Sequence, residues 1–143
     1  MNRTDTLLLL CDFHITQNPD AEAIEKIRKV AEKLDGYDDD MPGLLGGISD
    51  DDILFGIRVI FYYGFGLVAV KDQDGLVVKY MHDDVLTGRE DEFEQFLSAL
   101  APICKGFMQF VVGGDSIVRY EAKDGIIECL TTPPMCEWIR GQL

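Results

Sequence analysis

Two runs of three aspartates are the part of this sequence that most resembles a binding site. The runs are Asp38, Asp39 and Asp40, then Asp50, Asp51 and Asp52, with nine residues between them. A calcium loop needs oxygen ligands at alternating positions, a glycine at the sixth position and a glutamate at the twelfth. Consecutive side chains diverge, and neither run is followed by both of those residues. The sequence therefore predicts no metal site and no cofactor.

The stretch between the runs, MPGLLGGIS, suggests a second interpretation, because Leu44, Leu45 and Ile48 lie inside it. Protein interfaces often combine an apolar centre with a charged rim. The stretch is then either a solvated loop or an acidic docking surface, and the sequence leaves both open. The docking hypothesis expects exposed leucines and a loop that folding does not need. Its partner-binding residues are Asp38, Asp39, Asp40, Leu44, Leu45, Asp50, Asp51 and Asp52.

Asp12 and His14 are the candidates for acid–base chemistry. Residues two apart on a strand point to the same face, so the carboxylate could orient the imidazole as a general base. Acyl transfer would also need a nucleophile and an oxyanion hole, and no GxSxG or Cys–His signature is present. We therefore predict no catalytic residues and expect a polar rim at the end of a strand. The alternative is a ligand-binding or small enzymatic domain that uses an open sheet face near Asp12, His14 and Tyr80.

The cysteines and aromatic residues carry weaker signals. Cys11, Cys104, Cys129 and Cys136 are scattered without a Cys-x-x-Cys pair, which argues against a zinc knuckle or redox dithiol. Cys11 and Cys129 lie in apolar runs, and we expect them to be buried. Five aromatic residues could pack on the sheet or anchor a protein partner. They are Tyr62, Tyr63, Phe65, Tyr80 and Tyr120.

The charge balance limits the class of partner. The chain has 26 acidic and 13 basic residues, a net charge of −13, and such a field repels nucleic acid and anionic membranes while drawing basic proteins inward. The apolar run before Cys11 is four residues long, shorter than the roughly seven to fifteen of a secretion signal. We therefore expect a cytoplasmic protein whose partner is a basic protein. A homo-oligomer is left open.

Hydrophobic periodicity predicts the elements that position these residues. Residues 6–16 are predicted to be a strand with Leu7, Leu9, Cys11, Phe13 and Ile15 on one face. A helix follows, with Asn18 as its N-cap, Pro19 at its first position and Gly36 as its stop. Strands are then predicted from Ile53 to His82. Thr87 and Glu90 form a capping box for a second helix, and three more strands follow.

The predicted order is β-α-βββ-α-βββ in a single α+β domain, residues 1–143, with a short tail from about residue 133. The sheet is expected to be mostly antiparallel, with both helices on one face. Each helix is followed by three strands, and the last two of each trio are joined by a turn beginning Lys-Asp, KDQDG and then KDG. This similarity suggests an internal pseudo-repeat.

Residues 93–127, FEQFLSALAPICKGFMQFVVGGDSIVRYEAKDGII, resemble a pattern found in small uncharacterised bacterial proteins of the immunity type. In that pattern a helix ending in Leu-Ala-Pro leads to a strand, a Gly-Asp turn and a hairpin. The matching residues are Leu100, Ala101, Pro102, Gly114, Asp115, Arg119, Tyr120, Asp124 and Gly125. Val118 stands where an aromatic residue is usual. The resemblance implies a toxin-neutralising protein and brings no catalytic residues.

Together these features predict a non-enzymatic acidic module that binds a basic protein, most concretely an immunity-type inhibitor of a basic toxin domain. Toxins that act on nucleic acid tend to be basic, and an acidic inhibitor would reach such a partner quickly.

Overall fold

The structure, a computed structural model, describes residues 5–37 and 43–132. Asp38, Asp39 and Asp40 and the predicted tail from residue 133 lie outside these ranges. In chain order the elements are β1 (Thr6–Ile15), α1 (Ala21–Asp35), α2 (Ile53–Val59), β2 (Leu67–Asp72), β3 (Gly75–Met81), α3 (Glu90–Leu100), β4 (Cys104–Val112), β5 (Ser116–Lys123) and β6 (Ile126–Thr131). Helix α2 begins after a 3-10 turn, Asp50–Asp52, and continues into a π turn, Ile60–Gly64.

The six strands form one antiparallel sheet in the order β2-β3-β1-β4-β5-β6. Strand β1 lies inside the sheet between β3 and β4, and β2 and β6 are the two edge strands. Buried residues of all three helices join one face of this sheet in a single core. The α+β class and the antiparallel sheet are therefore confirmed.

Strand β1 does not carry the predicted continuous apolar face. The pairing of β1 with β4 shifts between Leu8 and Leu10, which leaves Leu9 as a bulge. The extra residue reverses the alternation, so Leu8 packs against the core while Leu7 and Leu9 are exposed. Phe13 and Ile15, after the bulge, are buried as expected.

The prediction of a strand beginning at Ile53 is wrong, because this segment is helical from Ile53 to Gly64. Ile53, Ile57 and Phe61 are four residues apart, a spacing shared by a strand face and a helical stripe. The buried position of Ile60 and the exposed position of Phe55 fit only the helix.

The predicted order therefore changes, because α2 and two strands replace the three strands predicted after the first helix, and the described residues contain three helices. No pseudo-repeat follows from this order. Two helix starts also differ from the prediction: Asp20, not Asn18, caps α1 and accepts a hydrogen bond from the Ala23 N–H at 2.9 Å. Helix α3 begins at Glu90 rather than just after Thr87, because residues 87–88 form a turn before it.

Candidate functional site

The two leucines of the stretch that follows the first aspartate run belong to the core. Leu44 and Leu45 are only 7% and 8% exposed, so the expectation of an exposed apolar centre there is wrong. A Cβ added to Gly56 would lie 3.0 Å from Cδ2 of Leu45, which means that the loop packs directly on α2. Both leucines belong to the same core cluster as residues of α1, α2 and the sheet, and burying them removes apolar surface from water.

Helix α1 holds this loop at both ends. The Leu44 N–H donates to a carboxylate oxygen of Asp35 at 2.8 Å. Arg28 donates to the carbonyl oxygen of Ile48 at 2.9 Å and to the Asp50 carboxylate at 2.7 Å. The loop is therefore an ordered part of the fold from Gly43 onward, contrary to the expectation that folding does not need it.

The second aspartate run has a structural role that the sequence analysis missed. Asp50, Asp51 and Asp52 form the turn that leads into α2, and all three are exposed. Carboxylates at this end of a helix interact favourably with the helix dipole. Asp50 is also paired with Arg28. The signal for this helix start was Ser49 followed three residues later by Asp52, a variant of a capping box.

His14 lies between two carboxylates on the open face of the sheet. Its Nε2 is 2.7 Å from a carboxylate oxygen of Asp12, and its Nδ1 is 3.7 Å from Asp72. The prediction that Asp12 and His14 share a face is confirmed. Tyr80 is not part of this group, because His14 pairs with Val77 and Tyr80 lies three residues further along β3, about 10 Å away.

An exposed apolar surface lies between α2 and the edge strand β2. Its helical wall carries Phe55, Tyr62 and Tyr63, which are 56%, 41% and 54% exposed. Val59 and Arg58 complete this wall, and Val68 and Ala69 of β2 line the opposite side, around a volume of about 370 Å³. We call this surface the α2–β2 groove. Three large exposed aromatic side chains on one side of one helix are unusual for a surface without a binding role.

The aromatic wall is itself ordered by ring contacts. The Tyr62 ring stacks on the His82 imidazole with ring centroids 4.1 Å apart and meets the Tyr63 ring edge-on at 4.9 Å. Ordered aromatic side chains lose little conformational entropy when a partner covers them. Of the other aromatic residues that could anchor a partner, Phe65 and Tyr120 are buried and Tyr80 is exposed.

The groove extends toward the start of α2, where its character becomes polar. Phe55 and Arg58 line a second volume of about 260 Å³ together with Asp51, Asp52 and Lys71. The two volumes share Phe55 and Arg58 and therefore lie side by side. One end of the groove is aromatic, and the other has charged side chains of both signs.

Burial keeps two of the cysteines protonated. It raises the pKa of the Cys11 thiol to about 11 and the pKa of the Cys104 thiol to about 12. Cys129 is exposed on β6, so the expectation that it is buried is wrong. Its pKa is also raised, first by partial burial and then by the Glu94 charge.

Within residues 5–37 and 43–132, no group of three or more His, Cys, Asp or Glu side chains is arranged to hold a metal ion. No helix in the same ranges is both long and apolar enough to cross a bilayer.

No protein-family model, curated protein or solved structure matches this chain. Function must therefore be inferred from the residues themselves, and the resemblance of residues 93–127 to immunity-type proteins stays a prediction.

Proposed function

We propose that this protein is a non-enzymatic acidic module that binds a basic protein through the α2–β2 groove. The observation that carries the proposal is the exposed aromatic wall of Phe55, Tyr62 and Tyr63 beside an edge strand. Tyrosine and other aromatic side chains dominate binding energy at protein interfaces because they bury a large area with few rotatable bonds.

The charge of the chain supports a basic partner. A net charge of −13 attracts a positively charged surface over long range and raises the association rate. Asp51 and Asp52 are exposed at one end of the groove and would meet basic side chains there. This proposal keeps the acidic character of the predicted docking surface but moves its apolar centre from Leu44 and Leu45 to the groove.

The most concrete form of this proposal is an immunity-type inhibitor of a basic toxin, as the resemblance of residues 93–127 implies. An inhibitor must bind its toxin tightly and cover the toxin's active surface, and this needs no catalytic groups. A basic toxin that acts on nucleic acid would present its substrate surface to the acidic field of this chain.

Affinity capture from the native host, followed by mass spectrometry, tests the proposal. The immobilised chain is expected to retain a basic protein, and a Phe55→Ser, Tyr63→Ser double variant is expected to lose it. If the captured protein is a toxin, its expression alone should arrest growth and co-expression of this chain should restore it. Retention of the same protein by both the wild type and the double variant would exclude the groove as the binding surface.

A second candidate function rests on the 2.7 Å contact between Asp12 and His14. A histidine held between two carboxylates suits ligand binding or proton transfer on the open sheet face. This candidate predicts that His14→Ala abolishes activity or ligand binding without changing capture of a basic protein. If His14→Ala leaves every measured property unchanged, the group is only a polar rim of the sheet.

A further inference from the structure

The outer edge of β2 forms the side of the α2–β2 groove opposite the aromatic wall, where Val68 and Ala69 line it. In an antiparallel pair, successive residues direct their N–H and C=O groups alternately toward the neighbour and away from it. The Gly66 carbonyl accepts from the His82 N–H at 2.8 Å, on the β3 side. The pairing shifts between Val68 and Ala69, but the extra residue, Lys79, is on β3, so the alternation along β2 continues. Leu67, Ala69 and Lys71 therefore point their main-chain groups away from β3.

A contact of Arg58 confirms this direction. Its Nε–H donates to the Ala69 carbonyl oxygen at 3.0 Å, from the side opposite β3. The Arg58 side chain thus occupies the position that an N–H of another strand would take. Among the described residues, no hydrogen bond from outside the sheet reaches the main chain of Lys71.

We propose that the groove binds an extended segment of the basic partner, which adds to β2 as a seventh strand. This inference rests on the proposed function and specifies the form in which the partner binds. Strand addition at a sheet edge combines main-chain hydrogen bonds with pockets for alternate side chains. A strand edge beside an exposed aromatic helix supplies both parts.

The chemistry of the groove defines the segment. From Val68 to Lys71 the edge spans about 10 Å, since a strand rises about 3.3 Å per residue. Alternate side chains of a bound segment face Phe55, Tyr62 and Tyr63, which select apolar or aromatic residues. A lysine or arginine at one end of the segment lies near Asp51 and Asp52. Arg58 and Lys71 line the same end, so its charge is mixed rather than purely acidic.

Proline at position 71 tests the main-chain part of the proposal. Lys71→Pro removes an N–H that points away from β3, so the ladder with β3 should remain intact. Lys71→Ala is the matched control, because it removes the same charge and keeps the N–H. Equal urea midpoints for the two variants would show that both fold.

A library of random linear peptides is first selected for binding to the full chain. The affinity of each selected peptide is then measured. Peptides with alternating apolar residues and a basic end are expected. Lys71→Pro should weaken their binding by about tenfold or more, since a hydrogen bond is lost and the proline ring obstructs the edge. This loss is measured relative to Lys71→Ala, which makes the same change of charge and keeps the N–H.

Peptides that are N-methylated at alternate residues give the same test without changing the protein. Methylation of the residues that donate to β2 should abolish binding, and methylation of the residues between them should not. Equal effects of both sets, or equal affinity for Lys71→Pro and Lys71→Ala, would overturn strand addition.

The two proposals can fail separately. If the chain captures a basic protein but no peptide binds the groove, the partner binds as a folded surface and strand addition is wrong. If peptides bind the edge but no basic protein is captured, the proposed function is wrong and the edge is a general peptide site.

Discussion

The Nε–H of Arg58 donates to the main-chain carbonyl oxygen of Ala69 across 3.0 Å, and this bond fixes α2 beside the outer edge of β2. An uncovered strand edge can pair with other chains, and proteins limit that hazard with charged side chains or covering elements. Here Arg58 donates a hydrogen bond to one edge carbonyl, that of Ala69, and leaves the groove beside it open. The contact therefore protects the edge and still leaves space for a specific partner.

The burial of Leu44 and Leu45 predicts a large loss of stability on substitution. Leu44→Ser or Leu45→Ser should lower the free energy of unfolding by about 3 kcal/mol, because each removes a buried apolar side chain and introduces a hydroxyl. Leu10→Ser is the matched control, since Leu10 is 56% exposed, and it should cost less than about 1 kcal/mol. Urea unfolding measures the free energy of unfolding of each variant. Equal losses would place the two leucines outside the core.

Gly106 is predicted to be irreplaceable for two reasons. Its φ is +95°, and a Cβ there would lie 1.7 Å from the Asp12 carbonyl oxygen on the neighbouring strand. Gly106→Ala should therefore destabilise the fold by more than about 2 kcal/mol. Gly88→Ala is the matched control, because Gly88 has a φ of +89° with no atom near the added methyl group.

Thermal unfolding separates the two glycine variants. The Gly88→Ala variant should lose only about 1 kcal/mol, the cost of placing a side chain at positive φ. If Gly106→Ala is no less stable than Gly88→Ala, strands β1 and β4 do not approach as closely as the structure describes.

Thiol labelling tests the pKa differences among the cysteines. In a Cys136→Ser variant at pH 8, Cys129 should react first and Cys104 last, because the thiolate is the reactive form and Cys104 has a pKa of about 12. A raised pKa moves labelling to higher pH, so the Cys104 rate should rise about tenfold per pH unit above pH 8. Mass spectrometry of labelled peptides identifies the sites. Equal rates for Cys104 and Cys129 at pH 8 would contradict the burial of Cys104.

The fold class followed from the sequence because most elements have unambiguous periodicity. Phe93, Phe96, Leu97 and Leu100 are buried on α3 as their spacing indicates. The β2–β3 and β5–β6 turns lie where KDQDG and KDG placed them. Each of these signals is local, so the rest of the fold does not alter it.

The groove was not predictable because it depends on one ambiguous segment. Residues 53–61 are rich in β-branched and aromatic residues, and their apolar spacing fits both periods. Gly56 packs against Leu45, and Ile60 is buried in the core that the helices share with the sheet. These long-range contacts favour the helix. A strand in this segment would not place Phe55, Tyr62 and Tyr63 beside β2. The bulge at Leu9 was missed for a similar reason, since five consecutive apolar residues contain no alternation.

Asp51 and Asp52 are predicted to accelerate association with the basic partner. Asn at both positions should lower the association rate severalfold at low salt and change dissociation little, because exposed charges act mainly on encounter. Asn at Asp115 and Asp124 is the control, since it changes the net charge equally at exposed turns. Stopped-flow measurements over a salt series compare the association rates of the two double variants. Equal slowing by both pairs would assign the effect to net charge alone.

The affinity of the captured basic partner for groove variants tests the central claim most directly. Isothermal titration should show that Phe55→Ser and Tyr63→Ser each weaken binding by about tenfold or more, as expected for aromatic anchors. Leu10→Ser, an equally exposed apolar change on the open sheet face, should alter it by less than about twofold. Unchanged affinity for both groove variants, together with lost binding in Leu10→Ser, would place the partner on the sheet face and contradict the α2–β2 groove.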